Sequence, residues 1–228
     1  MKKFAIVLVI LAMAAPAFAV SSNVRISQVY GAGGNAGAVY NQDFVELFNA
    51  SGFDVDISGW VIEYGSATGT WGSSATNYFV FPAGSWIAGC SYVLVATGPA
   101  SATVGAPVPT TPDYVQLTGP NLSGSNGKVG LFTVLNPSTP CGSETPGTLV
   151  DKLAYGTATC AEGTATAALT ATTGAVRGGG GTVDTDNNLA DFALIASPVP
   201  HNRATPAQAC APVATETETF GAIKAIFR

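Results

Sequence analysis

Glu46 stands between two phenylalanines in the run Asp43-Phe44-Val45-Glu46-Leu47-Phe48-Asn49. In an extended chain alternate side chains share a face, so Phe44, Glu46 and Phe48 point one way while Val45 and Leu47 point the other. A carboxyl held between aromatic rings is desolvated, which raises its pKa toward the range of a general acid. The same position also suits a carboxylate that accepts hydrogen bonds from a neighbouring turn. The neighbourhood favours that second role, because no partner acid, histidine or nucleophile lies nearby in sequence. The one histidine, His201, sits between Pro200 and Asn202. A general base needs a nucleophile and an orienting group, and no Gly-x-Ser-x-Gly elbow or His-Glu-x-x-His motif accompanies it. That absence argues against a hydrolase built on Glu46 or His201, and no catalytic residue is assigned.

Two other clusters have the residue types for chemistry. Asp184-Thr185-Asp186-Asn187-Asn188-Leu189-Ala190-Asp191 is rich in side-chain oxygens, as in part of a calcium loop, but it lacks the central Gly and distal Glu of an EF-hand. Asp and Asn in turns bond their own backbone, which gives the run a structural reading. Gly31-Ala32-Gly33-Gly34 has the glycines of a phosphate loop, yet Tyr40, Asn41, Gln42 and then a strand follow it instead of a helix. It reads as a flexible connection.

The ends and the composition set limits on these readings. Lys2 and Lys3, the apolar run Phe4 to Ala15 and the closing Ala17-Phe18-Ala19 make residues 1–19 read as a secretory signal peptide. No second run long enough to span a bilayer follows. About 209 residues then remain, room for one large domain over 20–210. The formal charge is −5 and falls to about −7 without the two lysines. An acidic, Arg-poor surface is a poor match to a phosphate backbone, so direct nucleic-acid binding is not expected. In an exported chain, Cys90, Cys141, Cys160 and Cys210 read as disulfides. Four cysteines allow three connectivities, and sequence alone does not choose among them. Cys141 and Cys160 flank the candidate strand Leu149 to Tyr155, so that pair is the expectation, with Cys90–Cys210 following by elimination. With no Cys-x-x-Cys spacing, neither a metal site nor a cofactor is assigned.

The elements that must position these residues are short strands. The chain is rich in Gly, Thr, Ala, Val and Pro and poor in Lys, Glu and Arg, which disfavours long helices. Val24 to Tyr30 reads as a first strand, with Val24, Ile26 and Tyr30 on one face. Asp43 to Tyr64 reads as two strands folded back on each other. Later strands are expected at Asn77 to Phe81, Ser91 to Ala96, Lys128 to Val134 and Leu149 to Tyr155, with a short edge strand at Tyr114 to Leu117. The tract Thr157 to Gly181, with its Ala/Thr run and four glycines, reads as the most mobile loop. Within 211–228, Phe220, Ile223, Ile226 and Phe227 fall at helical spacing after a Pro/Thr/Glu linker.

The residues Asp43, Phe44, Glu46, Leu47 and Asn49, followed by Ser58-Gly59-Trp60, resemble the core motif of the lamin-tail domain family. Its bacterial members carry an acidic-aromatic-aliphatic-Glu-Leu-x-Asn strand, a short acidic turn and a Gly-Trp pair. The resemblance continues through the aromatic strand, Pro82-Ala83-Gly84 and Tyr92-Val93-Leu94-Val95. It implies an all-β, immunoglobulin-like β-sandwich, here with long loops and a short C-terminal tail. It also implies a secreted or cell-surface module, without catalysis of its own, with a structural or protein-binding role. Two rival roles are carbohydrate binding through exposed Tyr40, Trp71, Tyr78 and Trp86, and an accessory part beside an exported nuclease or phosphoesterase. The partner is then a cell-surface protein or a glycan.

Overall fold

The computed structural model describes residues 24–210. The leader reading of 1–19 and the apolar segment within 211–228 lie outside the described residues. Runs of β-branched and aromatic residues broken by Gly, Pro, Asn and Ser become strands and turns. They are β1 (Val24–Tyr30), β2 (Asp43–Asn49), β3 (Val55–Asp56), β4 (Val61–Ser66), β5 (Tyr78–Val80) and β6 (Trp86–Ile87). After them come β7 (Tyr92–Thr97), β8 (Tyr114–Gln116), β9 (Gly127–Phe132), β10 (Leu149–Tyr155) and β11 (Thr173–Arg177). One helical turn, α1 (Asn188–Asp191), leads into β12 (Phe192–Ala196).

A six-stranded sheet runs β12-β11-β1-β2-β7-β8, a four-stranded sheet runs β10-β9-β4-β5, and β3 with β6 forms a small ribbon. Ile26, Val45, Leu47, Val93 and Val95 from the larger sheet meet Ile62, Tyr64, Val129, Leu131, Leu153 and Tyr155 from the smaller in one core. Two stacked, mostly antiparallel sheets around a shared apolar layer are the β-sandwich that the motif implies. Burying each of these large side chains contributes about 1.5–3 kcal/mol.

Three local expectations are corrected. First, β2 and β4 do not pair with each other: β2 lies between β1 and β7, and β4 between β5 and β9. A strand that is apolar on both faces needs a cover on each, and the chain supplies one by crossing at residues 50–60 to the opposite sheet. Second, Tyr30 does not share a face with Val24 and Ile26. The register shifts between Ile26 and Gln28, and such a bulge turns the later side chains over. Val29 enters the core, while Tyr30 joins Ala32, Tyr40, Phe44 and Leu94 in a second cluster. Third, the Ala/Thr/Gly tract is not all loop. Its end forms β11, paired with β1 and β12, because backbone pairing makes little demand on side-chain size.

The outer face of the six-stranded sheet is therefore covered rather than open. Loop 31–42 lies on it through Tyr40, whose ring meets Tyr30 edge-on at 5.4 Å. A side chain at Gly33 would overlap the Gln42 backbone, so only glycine lets the loop close this tightly. Residues 197–210 form a second strap across the same face, and its last residue, Cys210, is bonded to Cys90.

Candidate functional site

Glu46 sits on the outer face of β2, 1% exposed. Ser27 Oγ donates to Glu46 Oε1 at 2.5 Å, and Gln28 Nε2 donates to Oε2 at 3.2 Å. The strap delivers His201 to the same oxygen: its backbone N–H donates to Oε2, and Nδ1 lies 3.2 Å away. Gln28 Nε2 lies 3.5 Å from the same ring nitrogen, so Nδ1 is the edge of the imidazole turned to the sheet. The imidazole stacks on Tyr92 with centroids 4.5 Å apart, and the Tyr92 hydroxyl donates to Gly180 O at 2.8 Å and contacts Gln208. The hydrogen bond to Glu46 raises the His201 pKa against the opposing effect of burial.

A buried carboxylate orienting a half-exposed imidazole is the acid–histidine half of a catalytic triad. The adjacent hydroxyl, Ser27, is bonded to the carboxylate and not to the ring, and among the described residues no hydroxyl donates to His201. What the pair does in this geometry is clamp the strap to the sheet. Glu46 and His201 are 155 positions apart, which is why neither could be read as the other's partner along the chain.

A second polar centre has Arg177 at its middle, fully buried at the end of β11. Its Nη2 meets Asp151 Oδ2 at 2.7 Å, Nε donates to Ile26 O at 2.8 Å, and Nη1 reaches Val183 O at 3.1 Å and Asp184 at 3.5 Å. Its guanidinium also lies 4.4 Å from the Phe192 ring. Asp151 accepts in addition from Ile26 N–H at 2.6 Å. Burial raises the Asp151 pKa and Arg177 opposes the rise. Arg177 therefore ties β1, β10, β11 and the 182–184 turn together. The sequence places it in a tract that reads as a mobile loop, and the clue there is that Arg177 is the one charge after Glu162 in an Ala/Thr/Gly run.

The calcium-like run is spent on the same centre. Asp184 pairs with Arg25 at 3.0 Å, and Asp191 accepts from Thr185 N–H and Oγ and faces Arg177 at 3.6 Å. Asn187 caps α1 by accepting from Leu189 N–H. Asn188 accepts from Ala154 N–H at 2.9 Å and donates to Lys152 O. Cys141, Glu144 and Cys160 approach one another closely enough to hold a cation, but both sulfurs belong to one disulfide.

The remaining motif residues hold turns. Asp43 accepts from Gly33 and Leu122 N–H, both at 2.7 Å, and burial pushes its pKa up to about 7. Asn49 donates to Phe53, Ile87 and Ala88 carbonyls and accepts from Ser51, fixing the β3–β6 ribbon. Gly59 takes a positive φ of 76°, and half-buried Trp60 packs on the core. Phe44 and Leu47 are both fully buried, on opposite faces of β2. The cysteines pair as Cys90–Cys210 and Cys141–Cys160, with Cα separations of 5.4 and 5.8 Å.

The aromatic platform is not where the sequence placed it. Trp71 is fully buried, edge-on to Phe132, and its Nε1 donates to Glu144 at 2.5 Å. Its Gly/Ser/Thr neighbours form a loop folded over the outer face of the four-stranded sheet, so a polar setting did not mean exposure. Tyr40 is buried as well, Tyr78 is half-buried, and Trp86 alone of the four is exposed, beside Arg203.

With this geometry in hand, comparison with known proteins is informative. A family model described as Lamin Tail Domain matches residues 18–175. Among solved structures, the fold is similar to that of a DUF4876 family protein from Bacteroides thetaiotaomicron, with 14% identity and a TM-score of 0.52, covering 82% of this chain and 74% of that one. At that identity the likeness speaks for the fold alone. No curated protein matches the chain. The family match stops at residue 175, before Arg177, α1, β12 and His201.

Proposed function

Starting from the premise that the chain belongs to the Lamin Tail Domain family, with 18–175 of its 228 residues matched, we propose that it is an exported, non-enzymatic β-sandwich module. Its role is structural or protein-binding, at the cell surface or outside the cell. One observation carries this reading: the side chains with the chemistry for catalysis spend it on holding the chain together. Glu46 and His201 clamp the strap, Asp151 and Arg177 join two sheets, and Asp43 fastens two loops. Export is supported by the leader-like residues 1–19 and by the two cysteine pairs, since disulfides persist in oxidising compartments.

Fractionating cells that express the full chain tests the location. The expected product lies outside the cytoplasm, begins at Val20 and has no titratable thiol. A cytoplasmic product that retains Met1 and reacts with thiol reagents would overturn export. Screening the purified protein against esterase, phosphodiesterase and glycosidase substrates tests the rest. Turnover that disappears in both Glu46→Gln and His201→Ala, with folding intact, would make the clamp an active site and the non-enzymatic reading wrong.

A further inference from the structure

The two stacked sheets end in four edge strands, and three of them are closed by ordinary devices. β5 is three residues long and is followed at once by Phe81-Pro82. β8 is also three residues long and lies between Pro112 and Pro120. The outer edge of β10 is occupied: Asn188 accepts from Ala154 N–H and donates to Lys152 O, and Thr166 N–H donates to Ala154 O at 3.0 Å. Short strands, prolines and covering side chains are how sheets avoid pairing with other chains.

Beyond its first residue, β12 has none of these protections. Its five residues, Phe192-Ala193-Leu194-Ile195-Ala196, pair with β11 along their whole length on one side. Among the described residues one hydrogen bond reaches its other side, from Phe192 N–H to Asn188 O at its first residue, and none reaches Leu194 or Ala196. The strand contains no charge, proline or glycine, and Ala193, Ile195 and Ala196 are exposed, Ile195 by 44%. Exposed Leu189 and Val199 flank it. From Leu189 to Pro200 the one charged side chain is Asp191, which is buried and turned inward to Thr185 and Arg177.

We propose that β12 is a self-association edge, pairing antiparallel with β12 of a second copy across a two-fold axis so that two six-stranded sheets become one continuous sheet. An isologous contact sets a patch against itself, so it must carry no like charges. In a chain of formal charge −5, an uncharged stretch of this length is where two copies can meet without repulsion. Antiparallel pairing also sets the outer-face residues Ala193 and Ile195 of each copy against apolar residues of the other. The chain's own apolar C-terminal segment is a poor occupant, because Phe220, Ile223, Ile226 and Phe227 recur every three or four residues and a strand needs a period of two. The inference rests on the binding-module reading and names a second copy as a partner. A monomer would end the dimer and leave that reading standing, whereas enzymatic turnover would end the reading and leave the dimer.

Sedimentation velocity and light scattering of the disulfide-intact chain across a concentration series provide the test. The expected result is a monomer–dimer equilibrium that Ile195→Lys and Ala193→Lys each shift at least tenfold toward monomer. Val115→Lys, on the β8 edge, should leave it unchanged. Hydrogen exchange on the parent should show β12 amides slowing as concentration rises, which keeps the test decisive even if a lysine variant folds poorly. A parent that is monomeric throughout overturns the proposal, including the case in which the edge takes a strand from an unlike partner. A dimer that survives both lysine substitutions, or one lost on deletion of 211–228 while β12 amides stay unprotected, overturns it too.

Discussion

At the residue scale, Arg177 is the side chain whose loss is felt across the most elements. Its guanidinium serves Asp151, Asp184, Ile26 O and Val183 O at once, with no exposure of its own. Removing one member of a buried ion pair strands the other, a cost of about 3–5 kcal/mol. Asp151→Ala and Arg177→Ala should each lower stability by that order in denaturant titration, and the double variant should cost less than their sum. Additive losses would mean that the two do not act as a pair. This centre was hidden in the sequence for a physical reason: Asp151 and Arg177 are 26 positions apart, and nothing in either local pattern specifies a long-range ionic contact. Glu46 was more legible. Alternation placed it with Phe44 and Phe48 on one face, and the structure gives it an acceptor's role toward the proline-rich closing turn. Trp71 shows the opposite outcome, a tryptophan in polar company that is fully buried because its loop folds back over a sheet.

At the element scale, the strap 197–210 is anchored at both ends. Glu46 holds His201 near its start, and the Cys90–Cys210 bridge holds its end, with Gln208 N–H donating to Cys90 O at 2.9 Å. The bridge closes 120 residues and the Cys141–Cys160 bridge closes 19, worth about 5 and about 3 kcal/mol respectively if chain entropy governs. Cys90→Ala with Cys210→Ala should therefore cost more than Cys141→Ala with Cys160→Ala. It should also open the strap to limited proteolysis after Arg203, while the sandwich core stays resistant. Equal losses, or cutting confined to 141–160, would show that the strap is held by other contacts. Strand positions were largely readable because strands announce themselves by local pattern. Their pairing was not: the turn at residues 50–60 looks the same in a hairpin and in a crossing between sheets, and only the partners of β2 and β4 distinguish them.

At the scale of the whole molecule, the lamin-tail motif carried the architecture further than periodicity could, since two-sheet stacking depends on contacts between residues far apart in the chain. It could not foretell how many acids the fold would bury. Burial pushes Asp43 up to about 7, Glu63 to about 6 and Glu162 to about 8, and the bond to Glu46 raises His201. In each case the folded state holds its proton more tightly than the unfolded chain. A group whose pKa is raised on folding contributes most below its unfolded value, and that contribution is lost as pH climbs through its folded value. All four shifts have the same sign, so stability should fall as pH rises from about 4 to about 8. The melting temperature should be several degrees higher at pH 5 than at pH 8. Asp43→Asn cannot ionise and should flatten this slope, even though it weakens one of the two amide contacts from Gly33 and Leu122. A melting temperature that rises steadily from pH 5 to pH 8 would mean that these carboxyls remain ionised in the folded protein. The two loops fastened by Asp43 would then be held by a buried charge and not by a protonated acid.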